Sequence, residues 1–142
     1  MYKDILLAVD LVNDESWKNS VPTVVEYAKA FGSTVHVVTV VPDFGMTIVA
    51  SYFQKDHQEK AIEDCRGQLH AFTQENFPDD IKVQHIVASG TAYEEILALS
   101  EKISCDLIVL GSHRPKAQDF FLGPNSARIV RHANCSVLVV RD

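Results

Sequence analysis

Five short runs of apolar, largely β-branched residues recur along the chain, at Asp4–Val9, Thr34–Val41, Ile81–Ala88, Asp106–Leu110 and Ser136–Val140. Runs of this kind, with little polar alternation, mark strands buried on both faces, and such strands need helices above and below them. The intervening segments supply helical patterns. Ser16–Phe31 ends at Gly32, a good left-handed stop, and Pro22 within it predicts a helix that begins late or is kinked. From Phe53 to Gln74, the apolar positions Ile62, Cys65, Leu69 and Phe72 step by three and four, as one helix face does. Thr91 and Glu94 have the spacing of a capping box for a third helix reaching about Ile103. Ser126–His132 gives a fourth, with Ala127, Val130 and Ala133 on one side and basic residues near its end, where they suit the helix dipole. Strict alternation of strand and helix implies an α/β fold with a parallel sheet and helices on both faces.

The length of 142 residues suits one domain, residues 1–142, without an internal repeat or linker. No apolar run approaches the roughly 18 residues of a membrane span, and the first residues lack the stages of a secretory signal. The three cysteines, Cys65, Cys105 and Cys135, are scattered and form no Cys-x-x-Cys pair, so reduced thiols in a cytoplasmic protein are expected. A net charge of −6 without a basic block argues against a nucleic-acid partner. One local basic group, Arg114, Lys116, Arg128, Arg131 and His132, stands out in the last third and would suit an anionic small molecule. The connection Pro42–Ser51 carries Phe44, Met46, Ile48 and Val49 and has two readings: a flap over a ligand or partner site, or an early start of the second helix.

Ligands of open parallel sheets bind beyond the carboxyl ends of the strands, where the winding reverses. The first strand borders that point, so Asp10 at its end either accepts from ribose hydroxyls or caps the following turn. The fourth strand opens into Gly111-Ser112-His113-Arg114, and a second glycine, Gly123, precedes Asn125 and Ser126 at a helix start. Glycine permits close backbone approach, and amides at a helix start carry partial positive charge. The pair of turns is therefore either a polyphosphate cradle or two ordinary surface turns.

Gly111-Ser-His-Arg-Pro115 and the block Leu122–Arg141, with the opening Ile5–Asp10, Thr39–Pro42 and Gly90, resemble the universal stress proteins over the whole chain. The Arg-Pro after Gly-Ser-His and the asparagine after Gly123 are similar to the F/G-type subgroup of small bacterial members. The resemblance implies a flavodoxin-like, adenine nucleotide alpha hydrolase-like sheet of five parallel strands in the order 3-2-1-4-5. It also implies a homodimer and, in one branch of the family, bound ATP or AMP with Mg2+. By matched position, Ala8, Val9 and Asp10 would touch adenine and ribose, with Val40 beside the adenine. Gly111, Ser112, His113 and Arg114 would open the phosphate loop, and Gly123, Asn125 and Ser126 would close it.

Two residues depart from that branch's glycine pattern. Arg114 replaces its second glycine, and the interval to Gly123 is one residue short; guanidinium nonetheless pairs well with phosphate, and Pro115 holds Arg114 extended. Pro124 replaces the usual serine, removing a hydroxyl and an amide donor. Losing a hydrogen bond to a charged group costs about 1.5–3 kcal/mol, or about 10- to 150-fold in affinity, so weakened binding is expected, not its loss. Ser126 is placed to compensate.

Other chemistries lack their residues. Walker and Gly-x-Gly-x-x-Gly motifs are absent, as are His-Glu-x-x-His and a Gly-x-Ser-x-Gly elbow, and no metal site is expected. The third run ends Ala88-Ser89-Gly90, without the aspartate of a phosphoacceptor domain. The expected function is a regulatory or protective stress-response module that binds adenine nucleotide. The alternatives are a nucleotide-free dimeric interaction protein and a slow ATPase or self-phosphorylating protein, for which no general base or nucleophile can be named. In the order 3-2-1-4-5 the last strand, Ser136–Val140, is an apolar edge without lysine or proline, which predicts pairing with a second copy.

Overall fold

The structure is a computed structural model that describes residues 1–41, 51–112 and 124–141, with the backbone alone for 51–56 and 124. Its elements alternate along the chain: β1 (Asp4–Ala8), α1 (Ser20–Phe31), β2 (Thr34–Val41), α2 (Ser51–Asn76), β3 (Lys82–Ser89), α3 (Ala92–Lys102), β4 (Leu107–Ser112), α4 (Pro124–His132) and β5 (Ser136–Arg141). All strands pair in parallel, in the order β3-β2-β1-β4-β5. The fold expected from the sequence is therefore the one observed.

Each face of the sheet carries its own apolar layer. Leu7, Val35, Val37 and Val109 pack with Val24 and Ala28 of α1 and with Leu69 and Phe72 of α2. On the opposite face, Leu6, Val38, Ile108 and Leu110 pack with Ile96 of α3 and Ile129 of α4. The central strands β1, β2 and β4 bury side chains on both sides, which is why their sequences show continuous apolar runs.

Helix boundaries follow local chemistry. Residues Asp14–Ser16 form a 3-10 turn, and α1 starts only at Ser20, placing Pro22 in the first turn, where a missing amide costs least. Gly32 ends α1 at φ 65°, a left-handed conformation that glycine adopts without penalty. Thr91 occupies the cap position of α3, but the expected capping box does not form: its side chain makes no cap bond. Tyr93 Oη donates to Glu94 Oε1 at 3.1 Å. In α4 the buried position is Ile129, whereas Val130, expected beside Ala127 and Ala133, is 46% exposed. The connection Pro42–Ser51, with both readings of it, lies outside the described residues up to position 50; α2 itself begins at Ser51.

Candidate functional site

The strands at the centre of the sheet end at different heights. Ala8, the last residue of β1, is in register with Val38 of β2 and Leu110 of β4. Beyond that level β2 runs on through Thr39, Val40 and Val41, and β4 through Gly111 and Ser112. At about 3.3 Å per residue, the neighbours rise about 10 Å and about 7 Å above the end of β1. The result is a notch with Ala8, Val9 and Asp10 as its floor, at the point where the winding direction reverses.

Alternation along the strands decides which side chains face the notch from which side. Ala8 and Val40, both half-buried, belong to the layer that carries α3 and α4, and Ser112, two residues beyond Leu110, shares that face. Val9 points to the other layer and is 6% exposed, so its main chain is what the notch floor presents. Its N–H donates to Val38 O at 2.9 Å, the last rung before the chain leaves the sheet.

Asp10 is exposed and shapes the turn that follows it. Its Oδ1 accepts from Val12 N–H at 3.2 Å, and its carbonyl accepts from Asn13 N–H at 3.1 Å. Ser16 Oγ accepts from Asp10 N–H at 2.9 Å and lies 2.7 Å from Asn13 O. The capping role is thus present, and among the described residues Oδ2 of the same carboxylate has no hydrogen-bond partner. One side chain therefore serves the turn with one oxygen while the residue stays exposed.

Gly111 lies within β4, where the sequence suggested the start of a loop. A Cβ there would fall 2.7 Å from the carbonyl carbon of Ser16 and closer still to its oxygen. Close approach at this glycine is made by the protein's own Asp14–Ser16 turn, which covers the α1 side of β4 beside the notch. The sequence reading missed this turn as part of the site, although its Asn-Asp-x-Ser composition is turn chemistry.

The phosphate-side candidates divide by position. Asn125 and Ser126 lie in the first turn of α4, where main-chain N–H groups have no intrahelical partners and carry the positive end of the dipole. Pro124 is the first residue of that helix, the position at which proline fits best. His113, Arg114, Lys116 and Gly123 lie outside the described residues. The described members of the basic group, Arg128, Arg131 and His132, stand three and four residues apart on α4, as neighbours on one helix face do. Arg131 and His132 are in the last turn of α4, about 12 Å along the axis from its start, and Arg128 stacks 4.6 Å over the Tyr93 ring. Among the described residues no cluster of three metal-ligating side chains occurs.

The universal stress protein family model matches residues 1–141. Universal stress protein G of Escherichia coli O157:H7 is 31% identical over 147 aligned positions covering 99% of this chain and all of the relative. The structure of MJ0577, from Methanocaldococcus jannaschii, superposes with a TM-score of 0.77 at 24% identity, covering all of this chain and 97% of that one. The Archaeoglobus fulgidus universal stress protein, solved in complex with dAMP, gives a TM-score of 0.61 at 17% identity over 97% of each chain. The family resemblance carried by the Gly111–Pro115 and Leu122–Arg141 segments is borne out, and the chain belongs to the universal stress protein family.

Proposed function

We propose that this chain binds an adenine nucleotide, ATP or AMP with Mg2+ in company, in the notch above β1, and acts in the cytoplasm as a regulatory or protective stress-response module. The carrying observation is the early end of β1 between two longer neighbours, on the face where α4 begins. In this reading the adenine rests against Ala8 and Val40 and the main chain of Val9, and Asp10 Oδ2 accepts from ribose. Ser112 and the amides of Asn125 and Ser126 face the phosphates, with Gly111, His113, Arg114 and Gly123 completing the loop. The dAMP complex of the Archaeoglobus fulgidus relative supports an adenine nucleotide as the ligand class. One domain spanning residues 1–142 and a homodimer through β5 are part of the proposal.

A nucleotide-free dimeric interaction protein is the second reading, favoured by Pro124, which withholds an amide at the start of α4. Purified protein, denatured and passed over an anion-exchange column, separates the two. Released adenine nucleotide, or saturable uptake of added ATP or AMP, is expected. No released nucleotide, together with no saturable uptake of added ATP or AMP, would leave the interaction protein. Recovered ADP accompanied by phosphoprotein would point to the slow ATPase or self-phosphorylating alternative.

A further inference from the structure

Cys105 lies two residues before β4 and Cys135 immediately precedes β5, so two adjacent strands start near neighbouring thiols. Their Sγ atoms are 3.9 Å apart. Both side chains belong to the same apolar layer as Ile108, Ile129 and Ala133. The remaining cysteine, Cys65, is on α2, which packs against the other face of the sheet. A disulfide requires an S–S separation near 2.05 Å, so an approach of about 1.9 Å closes the pair. Cys135 is half-buried in the turn between α4 and β5.

We propose that Cys105 and Cys135 form a reversible intramolecular disulfide when the protein meets a peroxide, stapling the approach to β4 to the approach to β5. Cys135 is the more accessible sulfur and reacts first. Its thiolate attacks a peroxide oxygen, the O–O bond breaks, and a sulfenic acid and hydroxide result, the latter taking up a proton. Cys105 then releases its proton to solvent, and its thiolate attacks Cys135 Sγ. The S–O bond breaks and water leaves. Two thiols and one hydrogen peroxide thus become one disulfide and two waters, with both electrons passing to the peroxide.

The division of roles follows from the surroundings of each sulfur. Cys105 is 7% exposed. Burial, and then the adjoining Cys135 sulfur, push its thiol up to about 12, with the Asp106 and Asp4 carboxylates adding to the effect. It is therefore the proton-holding, resolving partner, scarce as thiolate at neutral pH but already beside its target. The closed loop from residue 105 to residue 135 contains every phosphate-side candidate from Gly111 to Ser126. The inference concerns the thiols alone and stands whether or not nucleotide binds.

The test is to expose the full chain to hydrogen peroxide, alkylate the remaining thiols with N-ethylmaleimide, and measure intact mass and non-reduced peptides. One alkylatable thiol in place of three is expected, with a loss of two hydrogen masses, a Cys105–Cys135 linked peptide, and reversal by dithiothreitol. Cys65→Ser should retain the link and Cys135→Ser abolish it. Three thiols still open to alkylation, a link through Cys65, or irreversible sulfinic acid without a link would each overturn the proposal.

Discussion

The missing side chain at Gly111 lets the Ser16 carbonyl approach β4 more closely than any Cβ would allow. Gly111→Ala must push the Asp14–Ser16 turn away, and overpacking of this kind costs about 1–3 kcal/mol, measurable by urea unfolding. The sequence marks this glycine clearly, but its spacing cannot distinguish a phosphate from a turn of the same chain as the approaching group, because that turn is set by tertiary packing. Asp10 presents a similar division between structure and ligand. Asp10→Asn keeps an acceptor for Val12 N–H and removes the charge, so folding stability should change by less than about 0.5 kcal/mol. Asp10→Ala removes the acceptor as well and should cost about 1 kcal/mol in the same unfolding measurement. A drop for the alanine variant no larger than for asparagine would show that the turn does not need this side-chain acceptor.

Between α2 and β3, His70 and His85 stack with ring centroids 3.7 Å apart, and Thr73 Oγ1 lies 2.5 Å from His85 Nε2. Burial first, and then His70, lower the His85 pKa from its ordinary 6.5. The unfolded chain therefore takes up this proton more readily than the folded one. The His85 contribution is fully present above pH 6.5 and is lost as the pH falls through the lowered folded value. Denaturant midpoints should accordingly decline below pH 6.5, and His85→Gln should flatten that decline; an unchanged slope would contradict it. Nothing in the sequence announced this pair, since strand register alone brings β3 beside the last turns of α2. Existence and type of α1 and α2 were legible from Gly32 and from Leu69 and Phe72, whose chemistry and spacing are local. The buried face of α4 was not legible, because Ile129 and Val130 are equally apolar and only the neighbouring α3 decides between them. Contact between Cys105 and Cys135 escaped the sequence reading for the same reason.

At the scale of the molecule, alternation of apolar runs and helical periods made the parallel sheet legible, and the family resemblance supplied its order. Residues Val137–Val140 of β5 are only half-buried, and its outer edge has no strand beside it among the described residues. Multi-angle light scattering at micromolar concentration should therefore report twice the chain mass of 15.8 kDa, and a monomer throughout would remove β5 as a dimer seam. The notch was legible only in outline: Asp10 and Gly111 stand out as residues, but the unequal strand lengths that create it depend on register. Its occupation by nucleotide is the central claim, and calorimetric titration of the parent and Asp10→Ala with ATP and AMP in the presence of Mg2+ tests it most directly. Saturable binding near the micromolar range is expected for the parent, with affinity about 10-fold lower in the variant, the equivalent of about 1.4 kcal/mol. No saturable heat from the parent up to millimolar nucleotide, or superimposable curves for the two proteins, would contradict a ligand seated above β1.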